Sequence, residues 1–170
     1  MLKEIPVSEL RIDPFHDIGT NWMLITAGNG KTAPVNAMTA SWGGIGVMWG
    51  APAAFVFVRE SRYTKTLIES ERGFSLCFPD HKKYAKELAF MGKASGRDCD
   101  KLAECSFTAE YYGEVPYVAE SDTVLICRKQ CAQPVEESSI VIPDVITKWY
   151  PDRNMHVMYI AEIEAALIRA

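Results

Sequence analysis

Ala53-Ala54-Phe55-Val56-Phe57-Val58 runs into Arg59-Glu60-Ser61-Arg62-Tyr63-Thr64, and that in turn into Lys65-Thr66-Leu67-Ile68-Glu69-Ser70. The first six residues follow Pro52 and are apolar throughout, the pattern of a buried strand. From Thr64 the pattern changes to a short apolar face behind a capping hydroxyl, which predicts a short helix that stops at Gly73. Upstream, Asn21 to Thr26 is apolar and β-leaning and ends at the turn-rich Gly28-Asn29-Gly30-Lys31. After Pro34, a second strand signal runs from Val35 to Trp42 into a Gly43-Gly44 corner.

Downstream, Phe74 to Phe78 alternates as a strand and is closed by Pro79. Asp80 is placed to cap a helix through Tyr84, Ala85, Leu88 and Ala89 that ends near Gly92, and a short helix is expected from Asp98 to Glu104. Strand signals return at Thr123 to Gln130 and Met155 to Ile163. Many short strands, few helices and no regular strand–helix alternation argue against a parallel doubly wound sheet. They predict a mainly β protein, a mostly antiparallel β-barrel with peripheral helices.

Composition narrows the rest. At 170 residues with no repeat or linker, the chain reads as one domain spanning 1–170, large enough to bury a core without metal or disulfide staples. Eighteen Lys+Arg against 22 Asp+Glu leave a net charge of -4, so the surface has no general attraction for nucleic acid or anionic lipid. An anionic ligand must therefore be caught by a local pocket. Met1 to Arg11 lacks the apolar core of a signal peptide, and no apolar run is long enough to span a membrane. Five cysteines without paired spacing (Cys77, Cys99, Cys105, Cys127 and Cys131) predict mostly buried, reduced thiols and a cytoplasmic location. His16, His81 and His156 stand too far apart for a zinc motif; His156 opens the last strand, where it can line a pocket or simply pack.

Three segments carry candidate chemistry. Between strand and helix, Ser61, Thr64, Arg59 and Arg62 gather hydroxyls, guanidinium forks and helix N-terminal amides, the donors that a phosphate monoester needs. The competing reading makes Ser61 or Thr64 a plain helix cap and leaves the arginines solvated. Asn36-Ala37-Met38-Thr39-Ala40-Ser41-Trp42-Gly43-Gly44 combines small residues, which let a ring approach the backbone, with polar side chains and a flat indole; it reads equally as a Gly-rich strand corner. Gly92 to Asp98 is a polar loop whose Lys93 and Arg97 either face a ligand or are solvated, with Asp98 capping the next helix. Neither a G-x-G-x-x-G fingerprint nor a Walker loop is present, so a nicotinamide cofactor must bind some other way.

The order of these segments resembles the flavin reductase-like family. Asn36 to Trp42, Pro52 with its strand, Ser61-Arg62-Tyr63-Thr64, Gly73-Phe74-Ser75-Leu76, Lys93-Ala94-Ser95-Gly96-Arg97-Asp98-Cys99-Asp100-Lys101 and the strand from His156 to Glu162 carry the likeness, over roughly Asn21 to Ile163. The resemblance implies an FMN-binding split β-barrel with Greek-key-like antiparallel strands, a homodimer, and FMN bound non-covalently near the dimer interface. Carried onto this chain, it places Asn36, Met38, Thr39, Ala40, Ser41 and Trp42 along the ribityl chain and the ring. It places Arg59, Ser61, Arg62, Tyr63 and Thr64 at the phosphate, and Lys93 near the flavin. Ala51-Pro52 departs from the two prolines of many relatives, and Gln133 to Tyr150 falls in the family's variable region, where Ile140 to Trp149 either covers the flavin or serves the dimer.

The implied activity is transfer of reducing equivalents from NADH or NADPH through FMN to an acceptor. Flavin supplies the redox chemistry, so the protein holds the ring, tunes it and controls access. A cation near N1 and O2, for which Lys93 is the candidate, would stabilise the reduced ring. The alternative is a flavoredoxin-like electron carrier docking with a redox protein and having little nicotinamide activity of its own. A third reading, a split barrel that has lost its flavin, is disfavoured by the intact Asn36–Trp42 and Ser61–Thr64 segments.

Overall fold

The computed structural model describes residues 1–170. Eight strands form one antiparallel sheet: β1 (Leu2–Ile5), β2 (Met23–Ala27), β3 (Asn36–Ala40), β4 (Gly43–Met48), β5 (Ala51–Arg59), β6 (Gly73–Pro79), β9 (Ser121–Pro134) and β10 (His156–Arg169). A separate hairpin joins β7 (Ala109–Tyr112) to β8 (Val115–Val118). The helices are α1 (Tyr63–Ser70), α2 (His81–Lys93), α3 (Lys101–Glu104) and α4 (Pro143–Trp149).

The strand order is β3-β2-β6-β9-β10-β5-β4, with β1 added to β10. Both ends of that path are held by strands consecutive in sequence, so the sheet curls until β3 and β4 meet at the Ser41-Trp42 link, a split barrel. Coiling is concentrated in β10, whose pairing with β9 shifts register between Ile160 and Ala161 and again between Ile163 and Ala165. The mainly β, antiparallel architecture expected from the sequence is the one observed.

Side-chain alternation separates two cores. Met23, Ile25, Phe74, Leu76, Val56, Val58 and Tyr159 point to one side, where Leu67 and Ile68 of α1 join them. Leu24, Cys77, Val124 and Ile126 point to the other, covered by Leu88 and Met91 of α2, Leu102 of α3 and Tyr117 and Val118 of β8. β2 and β6 are therefore buried on both faces, every residue of each. β5 differs from its uniformly buried expectation: Ala54, Val56 and Val58 are buried, whereas Phe55 and Phe57 are only partly so.

Several local expectations are corrected. The segment after Trp42 is not merely a corner; Gly43–Met48 is strand β4, paired with β5. α2, by contrast, is as expected: it ends at Lys93, next to Gly92, and Asp80 caps it by accepting from the amides of Lys82 and Lys83. Asp100, not Asp98, caps α3, accepting from Ala103 N. Two cysteines, Cys77 and Cys127, are buried; the other three are partly exposed, and all five are free. No helix is long and apolar enough to cross a membrane.

Candidate functional site

The end of β3, the end of β5, the start of α1 and the last turn of α2 enclose two adjoining compartments. One is a narrow cavity of about 120 Å³ lined by Asn36, Met38, Ser61, Arg62, Tyr63, Thr64, Lys93, Ala94, Ser95, Gly96 and Lys101. The other is an open cleft of about 340 Å³ lined by Met38, Thr39, Ala40, Ser41, Trp42, Phe57, Arg59, Arg62, Gly92, Trp149 and His156. Met38 and Arg62 belong to both and form the threshold between them. Neither lining contains a carboxylate, although the chain as a whole is acidic.

All twelve residues singled out from the sequence line one compartment or the other. Asn36, Ser61, Tyr63, Thr64 and Lys93 fall in the narrow cavity, so Lys93 sits with the phosphate-type donors rather than in the aromatic cleft. Thr39, Ala40, Ser41, Trp42 and Arg59 fall in the cleft.

The narrow cavity is built from side chains bound to one another. Asn36, 4% exposed, donates from Nδ2 to Thr64 Oγ1 at 2.8 Å, tying β3 to the first turn of α1. Neither Ser61 nor Thr64 caps that helix; its N-cap is Arg62, which gives no side-chain cap bond. The opening amides of α1 thus lack the acceptor that a capping hydroxyl would supply. Gly96 presses against Asn36, and a Cβ there would stand 2.2 Å from Asn36 Oδ1, so only glycine closes this wall.

Two cations share the last turn of α2. Arg62 Nη2 donates to Gly92 O at 2.7 Å. Lys101 Nζ donates to Met91 O at 2.8 Å and to Ala94 O at 3.2 Å. A helix C-terminus carries partial negative charge and unsatisfied carbonyls, which is why two like charges settle there. Burial, followed by the charge of Arg62, pulls the Lys101 ammonium down to about 8, and burial with Arg59 nearby lowers the Arg62 guanidinium. An ammonium has three N–H donors and a guanidinium five, so both cations retain donors after capping α2.

The cleft is aromatic. The Trp42 ring lies 4.8 Å from that of His156 and 5.1 Å from that of Trp149, the latter edge-on at 88°. His156 is 6% exposed and shares a 2.9 Å hydrogen bond between Nδ1 and the Tyr150 hydroxyl. Burial, with Arg59 adding repulsion, pushes this imidazole down to about 4 and keeps it neutral at pH 7. The Thr39 hydroxyl donates to Leu88 O at 2.5 Å, which fixes β3 against α2 and leaves this oxygen only as an acceptor toward a ligand.

Lys101 and Phe57 carry no site signal of their own in the sequence, Gly96 figures only within the Gly92–Asp98 loop, and Trp149 only as the end of the Ile140–Trp149 segment. Lys101 opens a short helix, where lysine ordinarily reads as solvated, yet it is 2% exposed. A larger cavity, about 580 Å³, adjoins the narrow one through Asn36, Tyr63, Gly96 and Lys101, but Asp98 and Asp100 line it, and their charges oppose an anion there.

Comparison with known proteins bears on this arrangement. Residues 15–166 match the model of the family described as flavin reductase like domain. Among solved structures, flavoredoxin from Methanosarcina acetivorans is 22% identical, covers 95% of this chain and 75% of its own, and superposes with a TM-score of 0.67. An FMN-binding domain of a flavin reductases-like enzyme from Shewanella baltica is 19% identical, with 99% and 77% coverage and a TM-score of 0.69. The styrene monooxygenase flavin reductase of Pseudomonas putida is 13% identical, with 85% and 77% coverage and a TM-score of 0.60. No curated protein matches the chain at a significant level.

Proposed function

The chain belongs to the flavin reductase-like family, and from that premise we propose that it binds FMN non-covalently and passes reducing equivalents from NADH or NADPH to an acceptor. The observation that carries this reading is the pair of acid-free compartments meeting at Met38 and Arg62, one cationic and narrow, the other aromatic and open. The phosphate belongs with Arg62, Lys93, Lys101 and the opening amides of α1, where charge-assisted bonds form away from bulk water. The ring belongs beside Ser41 and Trp42, with the neutral His156 behind the indole. Bound there, FMN supplies the electron and hydride chemistry, and no protein nucleophile or base is required. The protein's own work is to hold the phosphate, orient the ring and shape the approach to it.

Anaerobic titration of the FMN-supplemented protein with NADH and then NADPH tests the proposal through the visible band of the bound flavin. Rapid bleaching by either nucleotide is expected and identifies the donor. A second reading, an electron carrier, draws support from Trp149, whose 42% exposure beside Trp42 puts an aromatic edge at the surface of the cleft. A bound flavin that stays yellow with both nucleotides but bleaches with dithionite would favour that reading.

The homodimer implied by the resemblance also belongs to this proposal. The β4–β5 hairpin exposes Val47 (74%) and Trp49 (62%), apolar area that a second copy would cover. Sedimentation equilibrium is expected to return twice the chain mass, and a V47D/W49D pair is expected to return the single chain.

A further inference from the structure

We propose that Arg59 is a latch rather than a phosphate ligand: it pins the connection between α4 and β10 across the aromatic cleft, so that Trp149 determines which molecules reach the cleft. The identity of what lies in the cleft rests on the function proposed above; the latch does not.

Arg59 lines the aromatic cleft and is absent from the narrow cationic cavity. Both terminal nitrogens of its guanidinium are engaged within the protein. Nη1 donates to Asn154 O at 2.8 Å and Nη2 to Trp149 O at 2.9 Å, and its carbon lies 5.4 Å over the Tyr150 ring. The next two residues, in the turn that follows β5, continue the hold. Glu60 N donates to Met155 O at 3.0 Å, and Ser61 N and Oγ engage the Asn154 side chain at 3.3 and 2.7 Å.

The held stretch turns at Arg153, a left-handed residue with φ of 58°, and is anchored below by the buried Tyr150–His156 pair. Upstream of it, α4 buries no residue, and Val141 and Ile142 are 92% and 59% exposed. Trp149 thus stands edge-on to Trp42 between a helix that buries nothing and the anchored Tyr150, with its own carbonyl tied to Arg59. A planar fork spans two carbonyls at once, whereas a lysine ammonium on a flexible stem is a single point of charge.

Arg59→Ala and Arg59→Lys separate the latch from a phosphate role. Two bonds to a charged donor are lost, so hydrogen exchange over residues 143–155 is expected to speed by about tenfold or more in Arg59→Ala. Lysine is expected not to restore protection. Affinities for FMN and riboflavin, followed by quenching of free flavin fluorescence, are expected to move by the same factor. A selective loss for FMN that lysine rescues, or unchanged exchange in Arg59→Ala, would overturn the latch.

The consequence for access is read with photoreduced, FMN-loaded protein reoxidised by 1,4-benzoquinone or the bulkier 2,6-dichlorophenolindophenol. Each takes two electrons and two protons from the reduced flavin, giving the quinol or the leuco dye. Trp149→Ala and Arg59→Ala are expected to raise the dye-to-quinone rate ratio severalfold, and an unchanged ratio in both would remove Trp149 from the control of access. A wild-type protein that binds neither flavin would overturn the cofactor reading, while the exchange measurement still decides the latch.

Discussion

The two compartments on either side of Met38 and Arg62 are built on opposite principles. The narrow cavity is made of groups that hold each other: Asn36 on Thr64, Gly96 against Asn36, Arg62 and Lys101 on the last carbonyls of α2. The cleft has one firm wall, β3 with Trp42, and one that arrives on a helix with no buried residue. Preorganised donors lose little on meeting an anion, so on the proposed function strength of binding falls to the first compartment. A wall held by a few bonds to Arg59 has fewer restraints, and on the proposed function the choice of reaction partner falls to the second. FMN and riboflavin differ only in the phosphate, and comparing them measures the two compartments separately.

The sharpest break of this division is the double variant Arg62→Ala/Thr64→Ala. Each removed partner of a charged phosphate costs about 1.5–3 kcal/mol, so FMN affinity is expected to fall by on the order of a hundredfold or more. Riboflavin affinity is expected to stay within about threefold. Equal losses for both flavins, or retention of FMN, would show that the narrow cavity is not the phosphate site.

Lys101 gives a smaller effect with a distinctive pH signature. Its ammonium titrates near 8 in the free protein, chiefly through burial. A bound phosphate favours the protonated form and raises that value, so affinity is complete below about 8 and declines as pH rises through it. Fluorescence titrations from pH 7 to 10 are expected to show FMN weakening and riboflavin unaffected by this group. Lys101→Met is expected to weaken FMN about tenfold at pH 7 and to flatten the profile. A wild-type profile already flat would place the ammonium out of reach of the ligand.

Much of this site is legible in the sequence because its linings are contiguous stretches. Asn36 to Trp42 carries a run of small and polar residues that spans both compartments, and Ser61 to Thr64 a run of polar residues around Arg62 that lines the narrow one. What escapes is set by tertiary contact. Lys101 looks solvated until α2 brings Met91 O and Ala94 O to it. β4 is obscured by Gly43, Gly44 and Gly46, weak strand formers that only pairing with β5 makes extended. α4 is hidden by Val145, Ile146 and Thr147, β-branched residues in a helix that begins at Pro143. The two carbonyls that Arg59 holds lie 90 and 95 residues away in sequence, so these bonds too are invisible before folding.

Trp42 tests the firm wall of the cleft. An aromatic contact beyond area burial is worth about 0.5–1.5 kcal/mol, so Trp42→Ala is expected to weaken FMN and riboflavin alike, by roughly threefold to tenfold. A loss confined to FMN would move the indole to the phosphate end and dissolve the division between compartments.

The effect furthest from ligand binding concerns the other wall of the cleft, and it is read in stability. His156 has a folded-state value near 4 against an ordinary 6.5, from burial first and Arg59 second. The unfolded chain therefore binds the proton more readily between those values, so stability present above pH 6.5 is lost as pH falls through about 4. The contribution is on the order of 1–3 kcal/mol, each pKa unit being worth about 1.4. His156→Gln removes the titrating group while retaining a polar partner for Tyr150. Melting temperatures from pH 7 to 4 are expected to fall more steeply in the wild type than in this variant, by on the order of 5 °C at the acid end. A proton on His156 also places a second charge beside Arg59 and disturbs the bond to Tyr150 beneath Trp149. Acid is thus expected to speed hydrogen exchange in the wild type over 149–155 before it reaches β2 and β6, whose residues are all buried. Parallel melting curves, or acid loosening that begins in β2 and β6, would show that the two walls of the cleft do not differ in kind.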